Sequence, residues 1–236
     1  MRTTLRRRAM APILFGAAFV VASAIAAVAA TRALPPAQAA SGGRSADAMP
    51  DSAAPPRIED TATNVKLAFG QEMNGKERYL ARAKHADFEG YPAVARLFRA
   101  CARAEEVHAQ RLLEAIASTG GYEARYQMQR PVIATTPENL EASIERERYE
   151  VEQFYPPLIE KARAEGSTVA VRGMTFALSA EREHLRLLTA AQQRPAQADA
   201  SRAIYVCPTC GKTVEALGFA KCPNCFTSAK KFVRVV

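Results

Sequence analysis

The sequence predicts a mainly α protein, a four-helix bundle with one long crossover followed by a small metal-bound β domain. Three observations predict it. Four segments between residues 61 and 192 carry apolar residues at three-to-four spacing, the period of an amphipathic helix. Short links join the first segment to the second and the third to the fourth, whereas about 18 residues, 119–136, separate the pairs and are long enough to run the length of a bundle. Beyond residue 193 the period stops and two Cys-x-x-Cys knuckles follow.

A chain of 236 residues has room for one domain of ordinary size and something small beside it. No Trp, 7 Tyr and 10 Phe, against abundant Ala, Glu, Arg and Leu, favour helix over sheet. The net charge of +8 would suit a nucleic-acid partner, but Arg2, Arg6, Arg7 and Arg8 supply half of it. Elsewhere Lys and Arg are interleaved with Glu along the helices, as on a solvated face. No nucleic-acid-binding motif accompanies the charge, so no such partner is expected.

Residues 1–8 carry four Arg and no acid, and residues 9–30 carry no charge at all. A basic start followed by an apolar run reads as a signal peptide, with small-residue cleavage candidates at Ala27-Val28-Ala29 and Ala37-Gln38-Ala39. Left uncut, about 20 apolar residues can span a bilayer, so an inner-membrane anchor through residues 9–30 is the alternative. Arg6-Arg7-Arg8 also permits a twin-arginine route. Either reading puts the remaining chain outside the cytoplasm, in the periplasm, soluble or anchored. Residues 31–60, mostly Ala, Pro, Ser, Gly and Asp without periodicity, read as a disordered tether.

The first helix is expected over about Thr61–His85, with the stripe Val65, Ala68/Phe69, Glu72, Gly75/Lys76, Tyr79 and Ala83. The second, about Pro92–Ser118, has Val94, Leu97/Phe98, Cys101, Glu105, His108, Leu112 and Ile116. Thr136-Pro137-Glu138 opens the third, about Pro137–Glu165, since Pro is tolerated at the first helical position. Pro156-Pro157 should kink it, because neither residue can donate a backbone hydrogen bond. The fourth, about Ser167–Gln192, carries Ala170, Gly173/Met174, Ala177, Glu181, His184 and Leu188, and completes the domain over residues 61–193.

Glu72, Glu105, Glu147, Glu150 and Glu181 interrupt these apolar stripes, where a lone carboxylate is costly to bury. One such acid is unremarkable; at least one near the middle of every helix points to a shared cation. Glu105-x-x-His108 and Glu181-x-x-His184 each put a carboxylate and an imidazole on one helical face. Two such pairs, with a carboxylate from each of two further helices, form the ligand set of a carboxylate-bridged di-metal site. His85 lacks a Glu at that spacing and reads as a surface residue; Cys101 reads as a small buried hydrophobe.

After a polar linker, residues 194–203, comes Cys207-Pro-Thr-Cys210 and then Cys222-Pro-Asn-Cys225. Four cysteines so spaced make a tetrahedral thiolate site for a structural or redox metal. Paired disulfides are the alternative in an oxidising compartment. A domain over residues 204–236 is too small to fold on its own core, so a metal would hold it together.

Residues 61–236 resemble rubrerythrin, a ferritin-like di-iron bundle followed by a rubredoxin-like domain. The likeness rests on Glu72 with Tyr79 seven residues on, Glu105 with His108, Glu147 with Glu150, Glu181 with His184, and the tail Tyr205-Val-Cys-Pro-Thr-Cys-Gly to Lys231-Phe232. Gly75 inside the first helix and the exported N-terminus depart from the family. The resemblance implies that Glu72 and Glu147 each ligate one iron, that Glu105 and Glu181 bridge, and that His108 and His184 cap. It implies that Glu150 is a mobile ligand exchanging with His108, and that Tyr79 and Tyr155 orient carboxylates or donate protons. It further implies reduction of hydrogen peroxide to water, with iron, or zinc, at Cys207, Cys210, Cys222 and Cys225. A head-to-tail homodimer and an electron donor, which the sequence does not name, are implied as well. A ferritin-like iron oxidase and a non-enzymatic zinc-ribbon module are the rival classes.

Overall fold

The computed structural model describes residues 55–121, 124–194 and 203–236. The predicted export segment, most of the tether and most of the linker lie outside them. No helix among the described residues is long and apolar enough to cross a membrane.

Helix α1, Thr61–Phe88, starts where the Asp60 carboxylate accepts the Thr63 N–H at 2.7 Å, satisfying a donor that has no partner within the helix. It ends at Gly90, whose φ of +82° an L side chain would strain against. Helix α2, Pro92–Ser118, returns antiparallel with Pro in its first turn. The crossover then runs back along α1, where Asn74 holds it: its amide donates to the Gln127 carbonyl at 3.1 Å and accepts from Gln129 N–H at 2.9 Å.

The expected third helix is three pieces. Helix α3, Thr136–Tyr149, leads into a π-turn, Glu150–Phe154, and then helix α4, Tyr155–Ala164. The irregularity falls ahead of the two prolines, not at them. Pro156 and Pro157 cannot donate to carbonyls one turn back, and the chain widens before they arrive, so that Tyr155 N–H reaches the Glu150 carbonyl. The extra residue brings both Phe154 and Tyr155 inward, at 1% and 0% exposure. Helix α5, Thr168–Gln193, closes the bundle.

Apolar side chains fill the bundle in two clusters. Tyr79, Phe98, Leu140, Ile144 and Leu188 lie in one. Phe69, Leu112, Phe154, Leu158 and Met174 lie in the other. On each helix the acids and histidines fall between residues of the two clusters, so a polar layer is sealed at both ends by hydrocarbon.

The C-terminal module is an antiparallel sheet in the order β2–β1–β3, formed by Thr213–Val214, Ile204–Val206 and Val233–Val235. Its own core is little more than Cys207, Cys210, Cys222, Val214 and Phe232, with Phe176 of α5 packed against them. Ile204 and Val206 join the first bundle cluster, which seats the module on the helices.

Candidate metal centres

Helical spacing places Glu105 beside His108 and Glu181 beside His184; packing then brings the two pairs together from α2 and α5. His108 Nδ1 lies 3.2 Å from Glu105, 3.3 Å from Glu72 and 3.0 Å from Glu181. His184 Nδ1 lies 2.7 Å from Glu181 and 3.9 Å from Glu147. The donors form two overlapping groups, Glu72-Glu105-His108-Glu181 and Glu105-Glu147-Glu181-His184, each with its ligand atoms within 4.8 Å of one another. Glu105 and Glu181 belong to both. All six residues are at most 2% exposed. Tyr155 donates its hydroxyl hydrogen to Glu72 and Tyr79 donates to Glu147, each across to another helix. Gly75 faces this layer: a Cβ there would lie 3.4 Å from Cγ and Oε1 of Glu105, so the weak helix former leaves room beside a shared carboxylate.

The four cysteines of the module are free thiols, not disulfides. Cys207 and Cys225 sulfurs are 3.5 Å apart and Cys210 and Cys222 sulfurs 3.6 Å, far beyond a disulfide bond, and all four lie within 4.8 Å of one another. Each knuckle folds the next amide back onto its first cysteine: Gly211 N–H to Cys207 O at 3.0 Å, and Phe226 N–H to Cys222 O at 2.9 Å. Both turn residues take positive φ, +74° at Gly211 and +61° at Phe226.

A family model described as Rubrerythrin matches residues 63–192. The chain belongs to the rubrerythrin family. Nigerythrin of Nitratidesulfovibrio vulgaris is 34% identical over 176 residues, covering 74% of this chain and 86% of that protein. Rubrerythrin-2 of Clostridium acetobutylicum is 31% identical over 73% of this chain and 95% of its own length. A solved structure of fully reduced, all-ferrous nigerythrin superposes with a TM-score of 0.71 at 32% identity, covering 78% of this chain and 90% of that one. Mycobacterium tuberculosis bacterioferritin, at 22% identity, 58% and 86% coverage and a TM-score of 0.52, shares the fold of the bundle. The protein is thus a rubrerythrin-type di-iron protein, with iron or zinc at its four cysteines.

The donor set fits a pair of hard cations. Four carboxylates and two imidazoles suit iron, the thiolates suit iron or zinc, and Glu147 Oε2 is buried with no hydrogen-bond partner among the described residues. Without cations this layer is electrostatically costly for a rubrerythrin bundle. Burial, then the charges of its carboxylate neighbours, push Glu105 and Glu147 well above the usual carboxylate range, and burial raises Glu72. Burial alone would also raise Glu181, but His108 and His184 on either side hold it low. Burial opposes charge on His108 too, yet Glu181 and Glu72 outweigh it and raise its pKa. In the cysteine site, the hydrogen bond with Cys210 brings Cys207 down to about 5, a thiolate ready for a metal.

A pH dependence follows. Glu72, Glu105, Glu147, Glu150 and His108 all keep protons in the folded state that the unfolded chain would release. Folded chains then bind more protons, so stability drops as pH rises through that window. Glu181 acts oppositely only below its ordinary 4.5. The metal-free protein is therefore expected to lose melting temperature between about pH 5 and about pH 8, and the iron-loaded protein to lose much less; parallel thermal scans check it.

Glu150 stands apart from both donor groups. Its Oε1 accepts from Arg146 Nε at 2.7 Å, and Arg146 also donates to Gln71 at 2.6 Å. Burial lifts Glu150 to about 7 despite the guanidinium beside it. The Arg146–Glu150 spacing of four was a readable helical ion-pair signal that stripe analysis overlooks. His85 makes a similar pair with Glu89 at 3.3 Å, the acidic neighbour one turn on. Cys101 is fully buried in the first apolar cluster, and burial holds its thiol protonated.

Sequence reasoning also missed the residues that join the two centres. Thr213 Oγ1 lies 3.0 Å from His184 Nε2, and Gly211 packs against His108 so closely that an added methyl would overlap the ring. Asn224 donates to Ser179 at 2.8 Å and Arg99 to the Val236 main-chain oxygen at 2.8 Å. Within the chain, these contacts seat the module on the bundle.

Proposed function

We propose that the protein is a non-haem di-iron peroxidase that reduces hydrogen peroxide to water. The observation that carries this reading is the pair of overlapping donor groups sharing Glu105 and Glu181, directly beneath a four-thiolate site. Glu72 and Glu147 would each hold one iron, Glu105 and Glu181 would bridge, and His108 and His184 would cap. Iron held there would supply two reducing equivalents for breaking the O–O bond, and iron at Cys207, Cys210, Cys222 and Cys225 would supply one-electron redox chemistry for passing on replacements from an external donor.

The chain's own groups do the rest. Hydrocarbon at both ends keeps bulk water from the layer. Tyr79 and Tyr155 orient the outer carboxylates and hold protons within reach of them, as the product requires. Glu150, with its pKa near neutrality, must leave Arg146 before it can serve as the exchanging ligand. The family relationship also supports a homodimer, which we extend to a head-to-tail arrangement. Reading residues 1–30 as a signal or anchor extends the proposal to the periplasm, which cell fractionation tests.

Iron-loaded, anaerobically reduced protein provides the decisive experiment. Expected are about three irons per chain, consumption of peroxide without oxygen release, and the red colour of ferric thiolate as electrons leave. Oxidation by dioxygen in preference to peroxide, with iron accumulating beyond two per bundle, would instead indicate an iron oxidase or store. Zinc at the cysteines with undiminished turnover would remove the relay.

A further inference from the structure

The two imidazoles meet the C-terminal module differently, and Thr213 makes the difference. Its hydroxyl, fully buried, lies 3.1 Å from the Gly211 carbonyl and 3.0 Å from His184 Nε2. A hydroxyl has one hydrogen to give, and a carbonyl can only accept. Donation to Gly211 therefore leaves Thr213 Oγ1 as the acceptor for His184, and the ring proton is placed on Nε2. Nδ1, 2.7 Å from Glu181 and turned into the acid layer, is then the nitrogen whose lone pair a cation would take. His108 has no such clamp. Its Nε2 has no hydrogen-bond partner among the described residues and merely abuts Gly211, whose φ of +74° and missing Cβ allow the approach.

We propose that Thr213 is a positioning residue for the di-metal site: it holds His184 in its metal-binding tautomer and so links occupancy of the bundle to seating of the four-cysteine module. The His184 position is the tighter of the two. Coupling of this kind is reciprocal. A cation on His184 Nδ1 would leave the proton at Nε2, where Thr213 accepts it, so metal in the bundle strengthens docking just as docking strengthens metal binding.

The inference rests on the ligand assignment made under the proposed function, and one experiment separates them. Full-length wild type, Thr213→Val and Thr213→Ser are titrated anaerobically with Fe(II) against a chromophoric chelator, with the cysteine site filled beforehand. Amide exchange of residues 203–214 is followed with and without bundle metal. Val suits strand β2 at this position, and an unchanged cysteine-site spectrum verifies that the module folds. Thr213→Val is expected to weaken one of two bundle irons by about 10–100-fold, the usual cost of losing a ligand's outer hydrogen bond. Thr213→Ser should stay near wild type. Metal-induced protection of residues 203–214 should be present in wild type and absent in the Val variant. Equal affinity and equal protection in wild type and Thr213→Val would overturn the inference. Failure of wild type to take up two bundle irons would overturn the ligand assignment and this inference with it.

Discussion

Glu105→Ala is expected to lose both bundle irons and at least about 10³-fold in peroxide turnover, while the visible spectrum of the cysteine site stays intact. Glu105 belongs to both donor groups, so its loss weakens both ions at once. Its neighbours make the consequence for stability unusual. Burial, and then the charges of Glu181 and Glu72, oppose ionisation of Glu105 in the metal-free layer, so folding there costs the uptake of a proton. Removing the carboxyl group removes that cost, so the metal-free variant should melt no lower than the metal-free wild type at neutral pH, despite the space left behind. Metal analysis, a peroxide assay and paired thermal scans test the three parts. Peroxide turnover at the wild-type rate in this variant would refute the di-metal assignment.

Cys210→Ser should leave a single peroxide-driven oxidation of pre-reduced protein intact and reduce sustained turnover with an electron donor by at least about 100-fold. Cys210 is fully buried, 3.6 Å from Cys222, and immediately precedes the Gly211 that abuts His108. A hydroxyl in its place is a poor ligand in a thiolate set, so iron held there would be lost or altered. Because the metal also holds the module folded, a companion variant is needed. Gly211→Val retains all four thiols but puts a β-branched side chain at φ +74° and against the His108 ring. It should keep the red colour, lose the seat on the bundle and show the same kinetic pattern: one fast oxidation, slow recovery. Unchanged multiple turnover in both variants would exclude the cysteine site as the source of returning electrons.

Much of this molecule was legible before folding because the relevant signals are local. The three-residue spacings of Glu105 with His108 and Glu181 with His184 are properties of one helix turn each, as are the apolar stripes around them. Loop length alone distinguished the long crossover from the two tight links, and each cysteine knuckle is a four-residue motif. The π-turn was half-visible: Pro156-Pro157 announces a break, but the hydrogen bonds of the preceding turn decide where it falls. Glu150 shows the limit of stripe reading. Its helical position suits a ligand, yet Arg146 one turn back, itself tied to Gln71 on another helix, holds it elsewhere.

By itself, then, the sequence determined the helices, the crossover, the residue types offered to metal and the cysteine knuckles, since each depends on periodicity or on neighbours a few positions apart. Only the tertiary structure decided which donors share a site, that Tyr79 serves Glu147 and Tyr155 serves Glu72 across 68 and 83 residues of chain, and that Gly211 and Thr213 meet the two histidines. Those pairings depend on how helices rotate and pack against one another. No spacing along one element encodes that rotation, because it is set by the side-chain volumes of all the elements together.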